Sequence, residues 1–139
     1  MGLDSRNMRP ENLLRSAVEG ATYALRFGLH ELSALGIDAE EIVLTGGGVN
    51  SPTWRQVVAD ICDAPVTVYK QEEGAAFGAA LQALAMLEGP DCDLKAVCDQ
   101  HLERDESRCA RPEPSAVSHY ADTYKEYLRA ADSVAAMYS

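Results

Sequence analysis

The chain has 139 residues and a mass of 15.0 kDa, enough for one domain or a piece of a larger protein and too short for two independent cores. Hydrophobic residues make up 47% and charged ones 24%, which excludes wholesale disorder. Twelve basic against 22 acidic residues leave a formal charge of −10, a field that repels nucleic acid and anionic membranes, so a phosphate ligand must be held by local dipoles or a cation.

Nowhere do 18 consecutive apolar residues occur, and no basic start leads into an apolar secretion segment, so a soluble, cytoplasmic protein without a membrane partner is expected. Cys62, Cys92, Cys98 and Cys109 include no Cys-x-x-Cys pair and no histidine at zinc-ligand offsets, which favours reduced thiols and no metal site. A disulfide within the polar stretch that holds Cys92, Cys98 and Cys109 is the alternative.

Residues 11–35 carry Leu13, Leu14, Ala17, Val18, Ala21, Ala24, Leu25, Leu29 and Leu32 at helical spacing, with Gly36 as a left-handed stop. Gly20 and Gly28 inside this helix imply a neighbouring backbone at close range. Residues 41–45 read as a buried strand running into Gly46-Gly47-Gly48. Ser51 then caps a helix that Pro52 opens and that ends near Asp63, with Trp54, Val57, Val58, Ile61 and Cys62 as one apolar stripe.

A second strand is expected over 66–69, followed by a helix whose positive end carries Glu72 and Glu73 and which runs to Glu88. Residues 89–118 form a polar connecting stretch with one short helix near 94–102, and residues 119–139 a terminal helix marked by Tyr120, Tyr124, Tyr127 and Tyr138. The alternation gives an α/β fold with short parallel strands and crossover helices. Two strands leave both sheet edges open, so further strands or a partner, including a second copy in a homo-oligomer, are expected to cover the helices.

The sharpest chemical feature is the strand, Gly46-Gly47-Gly48-Val49-Asn50-Ser51, helix sequence. Glycines remove the Cβ atoms that hold a ligand away, and the following helix adds a positive dipole end, which suits a phosphate or the adenosine side of a nucleotide. A plain tight turn is the competing reading. Neither of the two commonest nucleotide fingerprints is present.

The run from Leu44 to Asp60 including Gly46-Gly47-Gly48-Val49-Asn50-Ser51-Pro52-Thr53-Trp54-Arg55-Gln56, the small-residue run Glu73-Gly74-Ala75-Ala76-Phe77-Gly78-Ala79-Ala80, and Gly2-Leu3 with Asn12-Leu13-Leu14-Arg15-Ser16-Ala17 downstream resemble the C-terminal nucleotide-binding domain of FGGY-family carbohydrate kinases. The resemblance spans residues 2–88. It implies part of an actin-like, ribonuclease-H-like ATPase domain in which ATP lies between two domains. On that analogy Gly46 and Gly47 approach the α-phosphate and ribose, Gly48 shapes the loop, and Ser51 stands near the adenine. Mg2+ arrives with the nucleotide.

Members of the family are several times longer, and their sugar pocket and catalytic aspartate precede the region matched here. The resemblance therefore implies a fragment that carries no catalytic base, is inactive alone, and belongs to an enzyme phosphorylating a sugar hydroxyl. A kinase for another sugar or polyol (ribulose, gluconate or glycerol) and a non-catalytic nucleotide-binding or interaction module are the alternatives.

The other candidates have blander roles. Trp54 sits on the apolar stripe and is expected in the core rather than stacked on a base, and Arg55 and Gln56 are expected on the helix surface or in internal hydrogen bonds. Asp60 and Asp63 are expected on a solvated face, and the alanine-rich helix over 75–85 in close packing. His30, His101 and His119 are scattered and form no catalytic arrangement.

Overall fold

In a computed structural model, which describes residues 4–71 and 74–138, the first helix, α1 (Pro10–Ala34), ends as its sequence requires. Gly36 takes φ 81°, and the amides of Gly36 and Ile37 donate to the carbonyls of Ser33 and Leu32 at 2.9 and 3.0 Å, satisfying two orphan carbonyls. No neighbour comes within 4 Å of a Cβ built at Gly20 or Gly28, so the expected close approach there is absent.

The strands β1 (Ile42–Val43) and β2 (Val66–Thr67) run parallel in the register Ile42↔Val66 and Val43↔Thr67. Between them lies α2 (Pro52–Cys62), whose N-cap Ser51 hydroxyl accepts the Trp54 amide at 3.2 Å and whose end is turned by Asp63 at φ 51°. The first strand is shorter and less buried than its β-branched run suggests: Val43 is 46% exposed, while Val66 and Val68 are fully buried. The reason lies on the other side of β2. There the expected connector folds back, with antiparallel bridges Val66↔Ala110 and Tyr69↔Arg104, and the Asp105 amide donates to Val68 at 2.8 Å. β2 is thus the middle of three and β1 an edge.

Beyond β2 follow α3 (Gly74–Glu88), α4 (Leu94–His101) and α5 (Pro114–Ala135). Glu72 and Glu73, assigned to the start of α3, lie outside the described residues, as do Gly2 and Leu3. The terminal helix starts at Pro114 rather than near 119, because Pro114 is pre-set for the first helical turn.

Helix α2 is the centre of the molecule. Val57 and Ile61 pack with Tyr23, Tyr120 and Tyr124 of α1 and α5, while Val58 and Ala59, about 100° round the helix, pack with Val49, Val66 and Val68. The tyrosines pack, as expected: Tyr23 stacks on Tyr124 at 5.8 Å and meets Tyr120 edge-on at 6.3 Å. Arg26 covers the Tyr124 ring at 4.4 Å and donates to the Ile61 carbonyl at 2.7 Å.

Asp60 departs from expectation. Only 5% exposed, it accepts the Gln56 side-chain amide at 2.9 Å and the Glu113 backbone amide at 2.8 Å, and Gln56 also donates to the Arg111 carbonyl at 2.8 Å. A carboxylate placed there satisfies a backbone donor that burial would otherwise orphan. The solvated face assigned to it from sequence belongs to Asp63 alone.

All four thiols are free. Burial between α2 and the tyrosine cluster pushes the Cys62 thiol up to about 11, the nearby Arg26 charge acting the other way. At pH 8 a thiol reagent should therefore leave Cys62 unmodified in the native chain and label it in urea; peptide mass mapping of both samples checks this. Because the folded-state value is raised, the contribution of this thiol to stability is fully present below pH 9 and is lost as pH rises through about 11.

Large apolar side chains stay exposed on α1 and α3, among them Leu14 at 71% and Leu87 at 85%. Among the described residues no helix is long and apolar enough to cross a membrane.

Candidate functional site

A cavity of about 530 Å3 opens beyond the carboxyl ends of β1 and β2, the position at which parallel sheets bind ligands. One wall is the glycine loop, represented by Gly46, Gly47 and Asn50; the facing wall is α3, through Gly74, Phe77, Gly78 and Leu81. Tyr69, Gln71, Leu102 and Arg108 also line it.

Each glycine of the loop does something different. Gly46 has φ 78° and ψ −166°, a combination that only glycine adopts without strain, and it turns the chain out of β1. Residues Gly47–Asn50 form a single 3-10 turn, closed by the Val49 amide on the Gly46 carbonyl at 3.2 Å. A Cβ on Gly47 would meet no atom within 4 Å, so the space it would occupy is open to a ligand. A Cβ on Gly48 would instead touch the Trp54 ring at 3.5 Å, and Trp54 supports the loop from within the core cluster.

Of the four residues assigned from sequence, Gly46 and Gly47 line the cavity, whereas Gly48 rests on Trp54 and the Ser51 hydroxyl is engaged as a helix cap. Arg55 lies buried and donates to the Val49 carbonyl, holding the turn. This is the internal hydrogen-bonding role expected for it.

The cavity is chemically sparse. Among the described residues no aspartate or glutamate lines it, and its polar side chains besides Arg108 are Thr45, Asn50, Tyr69, Gln71 and Cys98. Among its described lining residues Arg108 is the one cation, paired through Nε with the Asp105 carboxylate at 2.7 Å. Hydrogen bonds from Ser107, and then from Arg108, hold the Asp105 carboxyl below the ordinary carboxylate range. No group of three or more histidine, cysteine or acidic side chains suited to a metal occurs among the described residues.

Two parts of the site escape a sequence reading. The small-residue helix, expected only to pack, turns Gly74 and Gly78, one turn apart, toward the cavity with Phe77 beside them. The spacing of those glycines was a usable signal. Arg108 has none, because its place depends on the fold-back of a segment without hydrophobic period.

The chain is similar to proteins of known structure and sequence. Solved structures of a ligand-bound xylulose kinase and of a gluconate kinase, both from Lactobacillus acidophilus, superpose with a TM-score of 0.79 and 25% identity over 98% of this chain and 27% of theirs. Xylulose kinase of Haemophilus influenzae is 39% identical over 128 residues, 92% of this chain and 26% of that protein. The chain thus spans about a quarter of the length of these relatives.

The fold is part of an actin-like ATPase domain, as expected from the sequence. Residues 1–87 match the C-terminal domain of the FGGY family of carbohydrate kinases, and the chain belongs to that family. Within it the chain is most like xylulose kinases.

Proposed function

We propose that this chain is the nucleotide-holding part of a carbohydrate kinase that transfers the γ-phosphoryl group of MgATP to a sugar hydroxyl, with D-xylulose as the sugar and D-xylulose 5-phosphate as the product. The observation that carries the reading is the cavity at the strand ends, with the side-chain-free Gly46 and Gly47 on its wall. Their backbone can approach an α-phosphate and ribose, while Gly48 and Ser51 shape and anchor the loop. Mg2+ would come with the phosphates.

Phosphoryl transfer depends on positioning, charge neutralisation and a carboxylate that accepts the hydroxyl proton. Among its described lining residues the cavity offers surfaces for the first of these and no carboxylate for the last. The chain alone should therefore release no ADP in response to sugar when incubated with D-xylulose and MgATP, relative to a boiled control. Sugar-dependent release by the 139-residue chain would show that it is a complete catalyst and overturn the reading.

Likeness to a gluconate kinase structure and to a ribulokinase of Bacillus licheniformis keeps another sugar as the second reading. Comparing kcat/KM for D-xylulose, ribulose, gluconate and glycerol in a polypeptide that also holds the sugar site decides between them.

A further inference from the structure

The first turn of α2 backs the glycine loop residue by residue. The Ser51 amide donates to the Gly48 carbonyl at 3.1 Å, the Trp54 ring supports Gly48, and the Arg55 guanidinium donates through Nη1 to the Val49 carbonyl. Because α2 contributes to two core clusters, these contacts tie the loop to the core and leave Gly46 and Gly47 to line the cavity. We infer that Arg55 is a positioning residue for the nucleotide, its bond to Val49 holding the glycine wall where the α-phosphate is to rest. This assignment rests on the function proposed above.

Three observations favour a role in the site over a role in the fold alone. Arg55 is 8% exposed, yet among the described residues no carboxylate pairs with it. A buried guanidinium without a counter-ion is costly, and an apolar side chain serves stability better in such a place. Its helix also starts without it, since the Ser51 hydroxyl caps α2 and Pro52 opens the first turn. Finally, the bond goes to the loop. Arg26 ties α1 to α2 through the Ile61 carbonyl, and Gln56 ties α2 to the returning segment through the Arg111 carbonyl, whereas Arg55 joins α2 to a residue of the cavity wall.

The test is to titrate the 15N-labelled 139-residue chain with ADP and with adenosine by NMR, beside urea unfolding of the same samples. Arg55→Met and Arg55→Leu both remove the donor, so the result does not depend on one of them folding. Each should shift the Gly46, Gly47 and Val49 amide signals of the free chain and weaken ADP about tenfold, adenosine by less than about threefold. Arg55→Lys keeps a charged donor for a single carbonyl and should hold ADP to within about threefold of the native chain. Ile61→Val loosens α2 from the other core cluster; it should lower the urea midpoint and leave the affinity for ADP unchanged.

Native affinity for ADP in a folded Arg55→Met or Arg55→Leu chain would overturn the inference. So would an equal loss in Ile61→Val, which would make Arg55 a support of the fold, and so would a lysine variant as weak as the apolar ones, since the donor would then not be what counts. If Gly47→Val weakens ADP while the Arg55 variants bind it as the native chain does, the positioning role falls and the proposed function stands. If ADP moves none of the Gly46, Gly47 and Gly78 signals, both fall.

Discussion

In a kinase polypeptide that carries this sequence, replacing Gly47 by valine is expected to raise the KM for ATP at least about tenfold and the KM for the sugar by less than about twofold. The asymmetry follows from where the new atoms go. No protein atom lies within 4 Å of a Cβ at Gly47, and the residue opens the 3-10 turn without positive φ, so the fold has little reason to object. The branched side chain instead fills the path of the nucleotide. Gly46→Val would be a poor substitute, because φ 78° strains any branched residue and confuses instability with lost binding. Steady-state constants measured beside a melting curve check the prediction: an unchanged KM for ATP in a folded Gly47→Val enzyme would remove the loop from the nucleotide site.

Ile61→Ala should destabilise the chain by about 3 kcal/mol, the usual cost of a cavity left by a buried aliphatic side chain. Ile61 is 0% exposed and packs on α2 where α1 and α5 meet through Tyr23, Tyr120 and Tyr124. Collapse into the void is hindered because the surrounding rings stack on one another and are pinned by Arg26. Leu14→Ala, at a side chain 71% exposed, should change stability by less than about 0.5 kcal/mol. Urea unfolding of the two variants gives the contrast directly; similar midpoints would show that the tyrosine cluster does not dominate the core.

The parts of the fold legible in the sequence are those settled by neighbours along the chain. Ser51-Pro52 writes the start of α2 in a cap and a fixed φ, and Gly36 writes the end of α1 in a left-handed residue. The parallel pair follows from short apolar runs separated by a helix. What is missed is fixed by distant partners. The segment that completes the sheet pairs through backbone groups of residues 103–110, so its polar side chains give no strand pattern. Asp60 reads as a surface carboxylate because the amide it satisfies, that of Glu113, is 53 positions away.

The site divides in the same way. Gly46 and Gly47 are recognisable as a loop after a strand, but nothing local distinguishes the role of Gly48, which is to lie on Trp54, from theirs. The Tyr69, Phe77 and Arg108 lining comes from the chain after β2, from α3 and from the returning segment, and is visible only once these are in place.

That returning segment separates two meanings of the word domain. The family match stops at residue 87, yet the packed unit does not. Val66 exchanges both backbone hydrogen bonds with Ala110, Asp60 holds the start of α5, and two of the five residues in the Tyr23 core cluster come from α5. A chain cut after Leu87 would keep every recognisable motif and lose one border of its sheet together with two of the three buried tyrosines of its core. The third of the molecule beyond the family match is therefore a condition for the rest to hold its shape.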